Sequence, residues 1–384
     1  MALSHKTRIF TSDMTGAPVM GVAAGGIINV LDACLVNGFN SKTLTSLVVS
    51  GGIATATVSG GHGFTQYAVV AISGATPSGL NGSHRVATVP GSTTFTFDAT
   101  GISNATATGT ITAIVEDAGW TKAFTGTNKA AYNSATSDSG FYFRIDDSGA
   151  YSVGQPVRGY EAMTDVDTGT RAFPTVAQQA NFATRRSTDA SGDRVWVLVA
   201  DDKFFYLFIR LAAVAERHQA IYFGDIASFD PAEANACVIS AVNIATPSVG
   251  IFSPFYSSSN TTGNKYISSA LGEYANGSVA CGVYSPQIDS SCLFINQTNY
   301  PANTAPNAGL VIHRSGIVME KTASANAVRG MIPGYYPSPI KKDNFITSGS
   351  HTISLVDGNP FLLVNSNGNA SNDNLIAIDL GDWR

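Results

Sequence analysis

The stretch VWVLVADDKFFYLFI, residues 195–209, decides the fold. Two almost continuously apolar runs, Val195–Val199 and Phe204–Ile209, flank the turn Ala200-Asp201-Asp202-Lys203. A strand without alternating polar residues has to be covered on both of its faces. The sequence therefore predicts a central β-hairpin inside a larger β structure.

Further apolar runs, separated by long polar segments, indicate a mainly β chain. The segments 257–264, 299–307 and 365–374 are rich in Ser, Asn, Gly and Pro, which is typical of loops between strands. The strands predicted in this part of the chain are Cys237–Val242, Ser278–Tyr284, Cys292–Asn296, Gly309–His313, Thr352–Val356, Phe361–Val364 and Leu375–Asp379.

One segment near the N-terminus has the periodicity of a helix. Between Gly26 and Val36 the apolar residues recur at i, i+1, i+4, i+7 and i+8, and Gly38 stands where a helix commonly ends. We expect one amphipathic helix that packs against the β structure. Its apolar face comprises Ile27, Ile28, Leu31, Cys34 and Leu35.

A separate β region, residues 44–114, interrupts the chain after this helix. It begins with Leu47–Val49 and Ile53–Val58 around a Ser-Gly-Gly turn, the pattern of a hairpin. Of its side chains only Arg85 and Asp98 are charged, so the region lacks the groups for acid/base chemistry. We interpret it as a small β module, with further strands at Val69–Ile72, Val86–Val89, Phe95–Phe97 and Thr110–Val115.

These patterns predict a chain of three parts. Residues 1–43 and 115–235 form a β-sandwich-like body that carries the helix, and residues 44–114 form an inserted Ig-like or β-barrel-like module. Residues 236–384 form a loop-rich β region of the same or a second domain. Because insertions are tolerated where their two ends are close, we expect Thr43 and Val115 to mark adjacent strands.

The charge composition limits the classes of partner. Charged residues make up 13% of the 384 residues, compared with about 25% in typical soluble domains, and the formal net charge is −5. Nucleic-acid binding requires a basic face, and the pairs Arg185-Arg186 and Lys341-Lys342 are interpreted as solvated loop residues. The low charge instead favours a surface that is largely packed into an assembly.

The cysteines and the hydropathy give further expectations. Cys34, Cys237, Cys281 and Cys292 have no CxxC spacing, so neither a zinc site nor a disulfide framework is indicated. Cys34 and Cys237 are expected to be buried thiols, and a bridge between Cys281 and Cys292 is an alternative. Without a signal-peptide core or about 18 continuous apolar residues, we expect cytoplasmic synthesis and no membrane insertion.

The run Asp165-Val166-Asp167-Thr168-Gly169 is the best candidate for chemistry. An Asp-Thr-Gly triplet can mark an aspartic protease, but the preceding apolar strand and a second loop at a suitable distance are missing. The run also opens like a calcium loop, although Val176 stands where an EF-hand has Glu. A hydrogen-bonded Asx turn is the favoured interpretation, with a looser calcium site as the alternative.

Other catalytic patterns are weaker still. The six histidines have no HxH or HExxH spacing, and GxSxG, P-loop and dinucleotide-binding patterns are absent. Tyr335-Tyr336 and Phe252–Tyr256 could stack on sugar rings, but burial is favoured. We predict no enzyme activity, no cofactor, and no catalytic or metal-binding residues. Carboxylates that a polysaccharide-cleaving enzyme could use are Glu161, Asp165, Glu233, Glu273 and Glu320.

Several segments resemble a family of tailed-bacteriophage virion structural proteins, over the chain up to about residue 230. They are Ser12–Pro18, Leu31–Phe39, Gly119–Lys129, Arg158–Gly169, Phe173-Pro174 and Phe223–Ile226. The module itself resembles β modules of phage structural and tail proteins, most specifically at Gly74–Pro77 and Leu80–Gly82.

The resemblance implies a structural component of the virion, synthesised in the cytoplasm of a host bacterium. Its partners would be other virion proteins and copies of itself, in a ring of threefold, fivefold, sixfold or twelvefold order. The position in the neck, tail, baseplate or capsid surface stays open. Alternative functions are binding of a host-surface glycan, capsid decoration and, less favoured, depolymerisation of a polysaccharide.

Overall fold

The computed structural model describes residues 4–212, 218–230, 233, 236–243, 265–269, 278–284, 310, 312, 316–321, 326–341, 345–346, 351–365 and 374–381. Of these residues, 53% lie in strands and 5% in helices. The prediction of a mainly β protein is therefore confirmed. The strands belong to four curled sheets.

The predicted N-terminal helix is present and buries its apolar face. Helix α1, Gly26–Leu31, continues as a π-helix over Asp32–Asn37, and all five predicted apolar residues are buried. The chain leaves this helix at Gly38, whose φ of 66° favours glycine. A single 3-10 turn, Ser78–Leu80, lies in the module.

Within the described part of the chain, no helix is long and apolar enough to cross a bilayer.

The strands are numbered in chain order. The first fifteen are β1 Arg8–Thr11, β2 Phe39–Thr43, β3 Ser46–Ser50, β4 Ile53–Thr57, β5 Val69–Ser73, β6 Gly82–Gly91, β7 Thr94–Asp98, β8 Ala105–Thr106, β9 Thr112–Val115, β10 Thr121–Gly126, β11 Lys129–Asn133, β12 Tyr142–Asp146, β13 Gln155–Asp165, β14 Thr168–Phe173 and β15 Phe182–Thr184. The others are β16 Trp196–Ala200, β17 Phe204–Arg210, β18 His218–Asp225, β19 Ala227–Ser228, β20 Cys237–Ser240, β21 Val242–Asn243, β22 Lys265–Ile267, β23 Val279–Tyr284, β24 Ile317–Lys321, β25 Asn326–Met331, β26 Tyr335–Lys341, β27 His351–Val356, β28 Asn359–Asn365 and β29 Asn374–Asp379.

The predicted hairpin forms the middle of the largest sheet, which we call the central sheet. Its strand order is β1-β16-β17-β18-β20-β22-β23-β24-β25-β19. Every residue of β16 is buried, and so is every residue of β17 except the half-buried Arg210. Alternate side chains enter two separate cores, with Phe205 and Leu207 in one and Phe204 and Tyr206 in the other. The hairpin is therefore covered on both faces, as its sequence predicts.

Different elements cover the two faces of the central sheet. The core on the first face includes residues of α1, of the module and of a seven-stranded sheet, whose order is β10-β11-β12-β13-β15-β21 with β14 beside β13. The core on the second face includes Leu362 and Ile376 of a four-stranded sheet, β26-β29-β28-β27. The order of layers thus follows from the alternation of side chains along the hairpin.

The module forms one eight-stranded sheet with the order β2-β9-β5-β6-β7-β4-β3-β8. Its first and last strands are adjacent, as expected, because Phe39 pairs with Val115 and Thr43 pairs with Thr112. The sheet starts at Phe39 rather than at residue 44, so β2 lies in the module sheet. Buried residues such as Leu47 share one continuous core with the helix and the central sheet.

The described strands of residues 236–384 contribute to three sheets. Strands β20 and β22–β25 extend the central sheet, β21 pairs with β15 in the seven-stranded sheet, and β26–β29 form the four-stranded sheet. The predicted strands at Cys237, Ser278, Thr352, Phe361 and Leu375 are present with slightly different bounds. Of Gly309–His313 only Leu310 and Ile312 are described, and neither lies in a strand, while Cys292–Asn296 falls outside the described residues.

Substitution of Gly38 by Ala tests how the chain enters the module. A Cβ at Gly38 would lie 2.4 Å from the main-chain oxygen of Val115, and its positive φ adds strain. Gly101 also has a positive φ, of 89°, but a Cβ there would meet no atom within 4 Å. We expect Gly101→Ala to lower the unfolding free energy by about 1–2 kcal/mol and Gly38→Ala to lower it by more. The measurement is denaturant unfolding of both variants. Equal losses of unfolding free energy would contradict the close approach of Gly38 to the main-chain oxygen of Val115.

Candidate functional site

The acidic run Asp165–Gly169 forms the turn between β13 and β14. Asp165 pairs with Thr168 in this hairpin, and one carboxylate oxygen of Asp165 accepts a hydrogen bond from the Asp167 N–H at 2.8 Å. This is the expected Asx turn. Hydrogen bonding by that N–H holds the pKa of Asp165 below its usual range.

Two cations engage the second carboxylate of the turn. Lys129 Nζ lies 2.9 Å and Arg144 Nη2 lies 2.6 Å from Asp167 Oδ1. The hydrogen bond from Lys129 is the largest cause of a lowered pKa of Asp167, and the hydrogen bond from Arg144 is the second largest. A protease dyad shares a proton and therefore requires one raised carboxyl pKa, so this arrangement does not suit that chemistry.

Two of the five carboxylates considered for polysaccharide cleavage meet at one guanidinium. Both Glu233 and Glu320 form ion pairs with Arg329, and the exposed fractions of the three side chains are at most 3%. Arg329 Nη1 also donates to the carbonyl of Ser269 at 2.7 Å. Carboxylates buried on a shared arginine cannot flank a sugar chain in a groove.

The other three candidates are dispersed. Glu161 pairs with Arg171 at 2.9 Å on the seven-stranded sheet, and Asp165 belongs to the β13–β14 turn. Glu273 lies outside the described residues.

The cluster at Arg329 predicts a large and pH-dependent effect of Arg329→Met. Removal of the Arg329 guanidinium leaves two buried carboxylates that have lost their shared cation, which should lower the unfolding free energy by about 3–5 kcal/mol at neutral pH. Burial raises the pKa of a carboxylate that has lost its cation, so protonation in the folded variant should reduce the loss as the pH falls.

Denaturant unfolding at neutral and mildly acidic pH measures this effect. The control is Lys203→Met, which removes the 2.7 Å contact between Lys203 and the exposed Asp138. That change should lower the unfolding free energy by no more than about 1 kcal/mol. A similar loss for both variants, or a loss that does not depend on pH, would contradict the structural role of the triad.

A second buried ion pair fixes the start of α1. Asp147 accepts a hydrogen bond from the Ile27 N–H at 2.8 Å and pairs with Arg186, and both charged side chains are at most 1% exposed. Arg186 also donates to the carbonyl of Gly149. The interpretation of Arg186 as a solvated loop residue was therefore wrong, because a carboxylate 39 residues away in sequence neutralises it inside the protein. Its neighbour Arg185 is half-buried, and Lys342 lies outside the described residues.

Adjacent aspartates provide a matched test of this cap. Asp147→Ala removes the acceptor for the Ile27 N–H and leaves Arg186 buried without its carboxylate, which should lower the unfolding free energy by about 3–5 kcal/mol. Asp146→Ala removes a partly exposed carboxylate and should cost about 1 kcal/mol or less. Thermal and denaturant unfolding of both variants measures the difference, and the reverse ranking would contradict the assignment.

Burial shifts the pKa values of the cysteine thiols and of one imidazole. Cys34, Cys237 and Cys281 are free and buried, whereas Cys292 lies outside the described residues. Burial raises the pKa of the Cys34 and Cys237 thiols well above its usual value, which disfavours a nucleophilic thiolate. Burial also lowers the pKa of His218 to about 3, so this imidazole is neutral near pH 7.

Of the aromatic pair considered for sugar stacking, Tyr335 is buried and Tyr336 is half-buried. Tyr335 is 2% exposed, and the Tyr336 ring packs edge-on against Phe361 at 5.4 Å between ring centroids. Phe252–Tyr256 lies outside the described residues.

Four separate segments of the chain converge on one aromatic cluster. Trp120 and Phe173 both contact the ring of Phe223, at centroid distances of 6.1 Å and 6.2 Å. Gly159 lies under Phe173, since a Cβ at this glycine would be 2.3 Å from that ring. Residues from four separate segments thus form a packing motif between the seven-stranded sheet and the central sheet.

The module has an outward surface that the sequence analysis missed. Backbone pairing places Thr106, Val48, Thr55, Thr96 and Thr88 in one row across β8, β3, β4, β7 and β6. Each is exposed or half-buried, and the hydroxyls of Thr88 and Thr96 are 2.7 Å apart. The alternation in ATAT and TFTF was the available signal, because alternate residues of a strand share a face.

We call this surface the threonine face and include two flanking rows in it. One row comprises Ser50, Ile53 and Asp98, and the other comprises Ser46, Thr57 and Thr94. Asp98 is the single charged side chain of the three rows. Ile53 is 54% exposed, so apolar and hydroxyl groups reach solvent together.

No protein-family model matches the chain, and no curated protein sequence matches it. Among the described residues, no group of three or more His, Cys, Asp or Glu side chains is placed to hold a metal ion.

Proposed function

We propose that this protein is a non-enzymatic structural component of a tailed-phage virion, an oligomeric accessory protein of the neck, tail or baseplate. The observation that carries the proposal is the convergence of four of the six phage-like segments on Trp120, Gly159, Phe173 and Phe223. Motifs that meet in a packed core preserve a scaffold rather than a reaction centre. On this proposal the protein is synthesised in the bacterial cytoplasm and incorporated into the particle.

The placement of the charged groups supports a structural role. Glu233 and Glu320 share Arg329, Asp147 is paired with Arg186, and Asp167 is engaged by Lys129 and Arg144. Each of these carboxylates stabilises a contact within the chain. None of the pairs presents two carboxyl groups across an open groove, as polysaccharide hydrolysis requires.

The threonine face supports assembly through protein–protein contacts. The centres of such interfaces are depleted in charged residues, and this face combines exposed aliphatic groups and hydroxyls with a single carboxylate. We propose that the face contacts a neighbouring virion protein or a further copy of the chain.

We also propose a finer description of the two β bodies. The main body is β-sandwich-like, with the central sheet packed face to face on the seven-stranded sheet through the shared core. The module is a small Ig-like or β-barrel-like unit, in which the adjacency of β2 and β9 brings its two ends together.

The first test is whether the protein is part of the particle. Particles from cells that produce the protein should contain it in a fixed copy number, in multiples of a ring order, by quantitative mass spectrometry and in a particle map. Absence of the chain from purified particles would refute the proposal. Release of fragments from host polysaccharide by the purified protein would instead support a depolymerase.

A matched pair of variants tests the role of the threonine face. Thr96→Lys places a charge in the middle of the face, whereas Val176→Lys places one on a body residue that is 65% exposed. We expect Thr96→Lys to reduce incorporation about tenfold or more, because an unpaired buried charge is unfavourable in an interface. Val176→Lys should assemble normally, and equal melting temperatures establish that both variants fold.

Two outcomes would contradict this assignment. Equal incorporation of both variants would exclude the threonine face from assembly contacts. Normal assembly with loss of adsorption to host cells would support the alternative of a host-surface glycan receptor site.

The alternative of capsid decoration has a separate test. A protein that lies on the finished capsid and is not needed for assembly would be a decoration protein.

A further inference from the structure

The second charged residue of the module, Arg85, is buried inside the protein, unlike Asp98 of the threonine face. Its side chain is buried, and the residue is 5% exposed. The guanidinium donates to four main-chain carbonyls. Nε donates to Ser4, Nη1 to Tyr67 at 2.8 Å, and Nη2 to both Thr7 at 2.5 Å and Leu380 at 3.0 Å.

These acceptors come from three distant parts of the chain. Ser4 and Thr7 lie just before β1, Tyr67 belongs to the module, and Leu380 follows β29. Burial, and to a lesser extent the charge of Arg8, lowers the pKa of Arg85 to about 10, so the group is a cation near neutral pH. The rigid fork of a guanidinium can donate to several carbonyls at once, which a lysine cannot do.

Further contacts join the same three parts. Arg8 pairs with Glu116 at 3.0 Å, and Glu116 also accepts a hydrogen bond from Ser83 of β6 at 2.6 Å. The Thr7 hydroxyl donates to the carbonyl of Gly381 at 2.9 Å. The segments 4–8 and 380–381 therefore contact each other and the module at a single place.

We propose that Arg85 is a latch through which the inserted module holds both the N-terminal segment 4–11 and the C-terminal strand β29. Strand β1 has four residues and lies at the edge of the central sheet, where β16 is its partner among the described strands. So short an edge strand has few ladder hydrogen bonds of its own, and the latch supplies further ones. The module thus helps to keep the segment 4–11 and strand β29 in their folded positions.

Hydrogen–deuterium exchange of Arg85→Met tests the latch in the full-length chain. We expect amide exchange in residues 4–11 and 375–381 to accelerate about tenfold or more, because one hydrogen bond to a charged group contributes at least such a factor. Exchange in β3, β4 and β7 should stay unchanged, since these strands do not contact the guanidinium. Unchanged exchange at both ends would overturn the proposal, and so would a uniform increase over the module.

Additional variants separate the latch from other effects. Arg85→Lys keeps the charge but not the fork, so it should accelerate exchange in the same two segments. Asp98→Asn removes the other charge of the module, which lies on the threonine face. It should leave exchange at the two ends within about threefold of the parent, which is less than the loss of one charged hydrogen bond.

A reciprocal experiment covers the case in which Arg85→Met does not fold. A chain that starts at Arg8 lacks two of the four acceptors, and coupling between sites is reciprocal. Its exchange in residues 375–381 and around Arg85 should accelerate about tenfold. Retained protection of the C-terminal strand in this truncated chain would refute the latch, whatever the role of the protein in the virion.

Discussion

The structure depends on a hairpin that has no solvent-exposed face. Strands β16 and β17 direct apolar side chains to both sides, so two separate layers have to cover them. The helix, the module and the seven-stranded sheet cover one side, and the four-stranded sheet covers the other. Even the turn of the hairpin is held, since Trp120 Nε1 donates to the carbonyl of Asp201 at 2.8 Å.

Buried arginines connect the parts that this constraint brings together. Arg186 pairs with Asp147, which accepts a hydrogen bond from the first turn of α1. Arg329 joins β24 to the loop after β19, and Arg85 joins the module to both ends. A buried guanidinium is unfavourable unless it is paired with a carboxylate or hydrogen-bonded to carbonyls, so each of these contacts depends on the correct placement of several segments. The few charges of this protein therefore contribute to its architecture.

Features encoded over short distances could be predicted from the sequence. The hairpin at Val195–Ile209, the helix from Gly26 and six strands of the module follow from local periodicity and turn residues. The Asx turn at Asp165 depends on an N–H two residues away. The burial of Arg186 could not be predicted, because its partner Asp147 lies 39 residues away and shares no local pattern with it.

The sequence by itself determined that the chain is mainly β, that a strand pair must be covered on both faces, and that residues from about 44 to 114 form strands of one unit. Only the tertiary structure decided which carboxylates meet a cation, where the threonine face lies and what Arg85 holds. The physical reason is the range of the interactions. Backbone periodicity acts between neighbours, whereas the partner of a buried charge is chosen by the packing of distant segments.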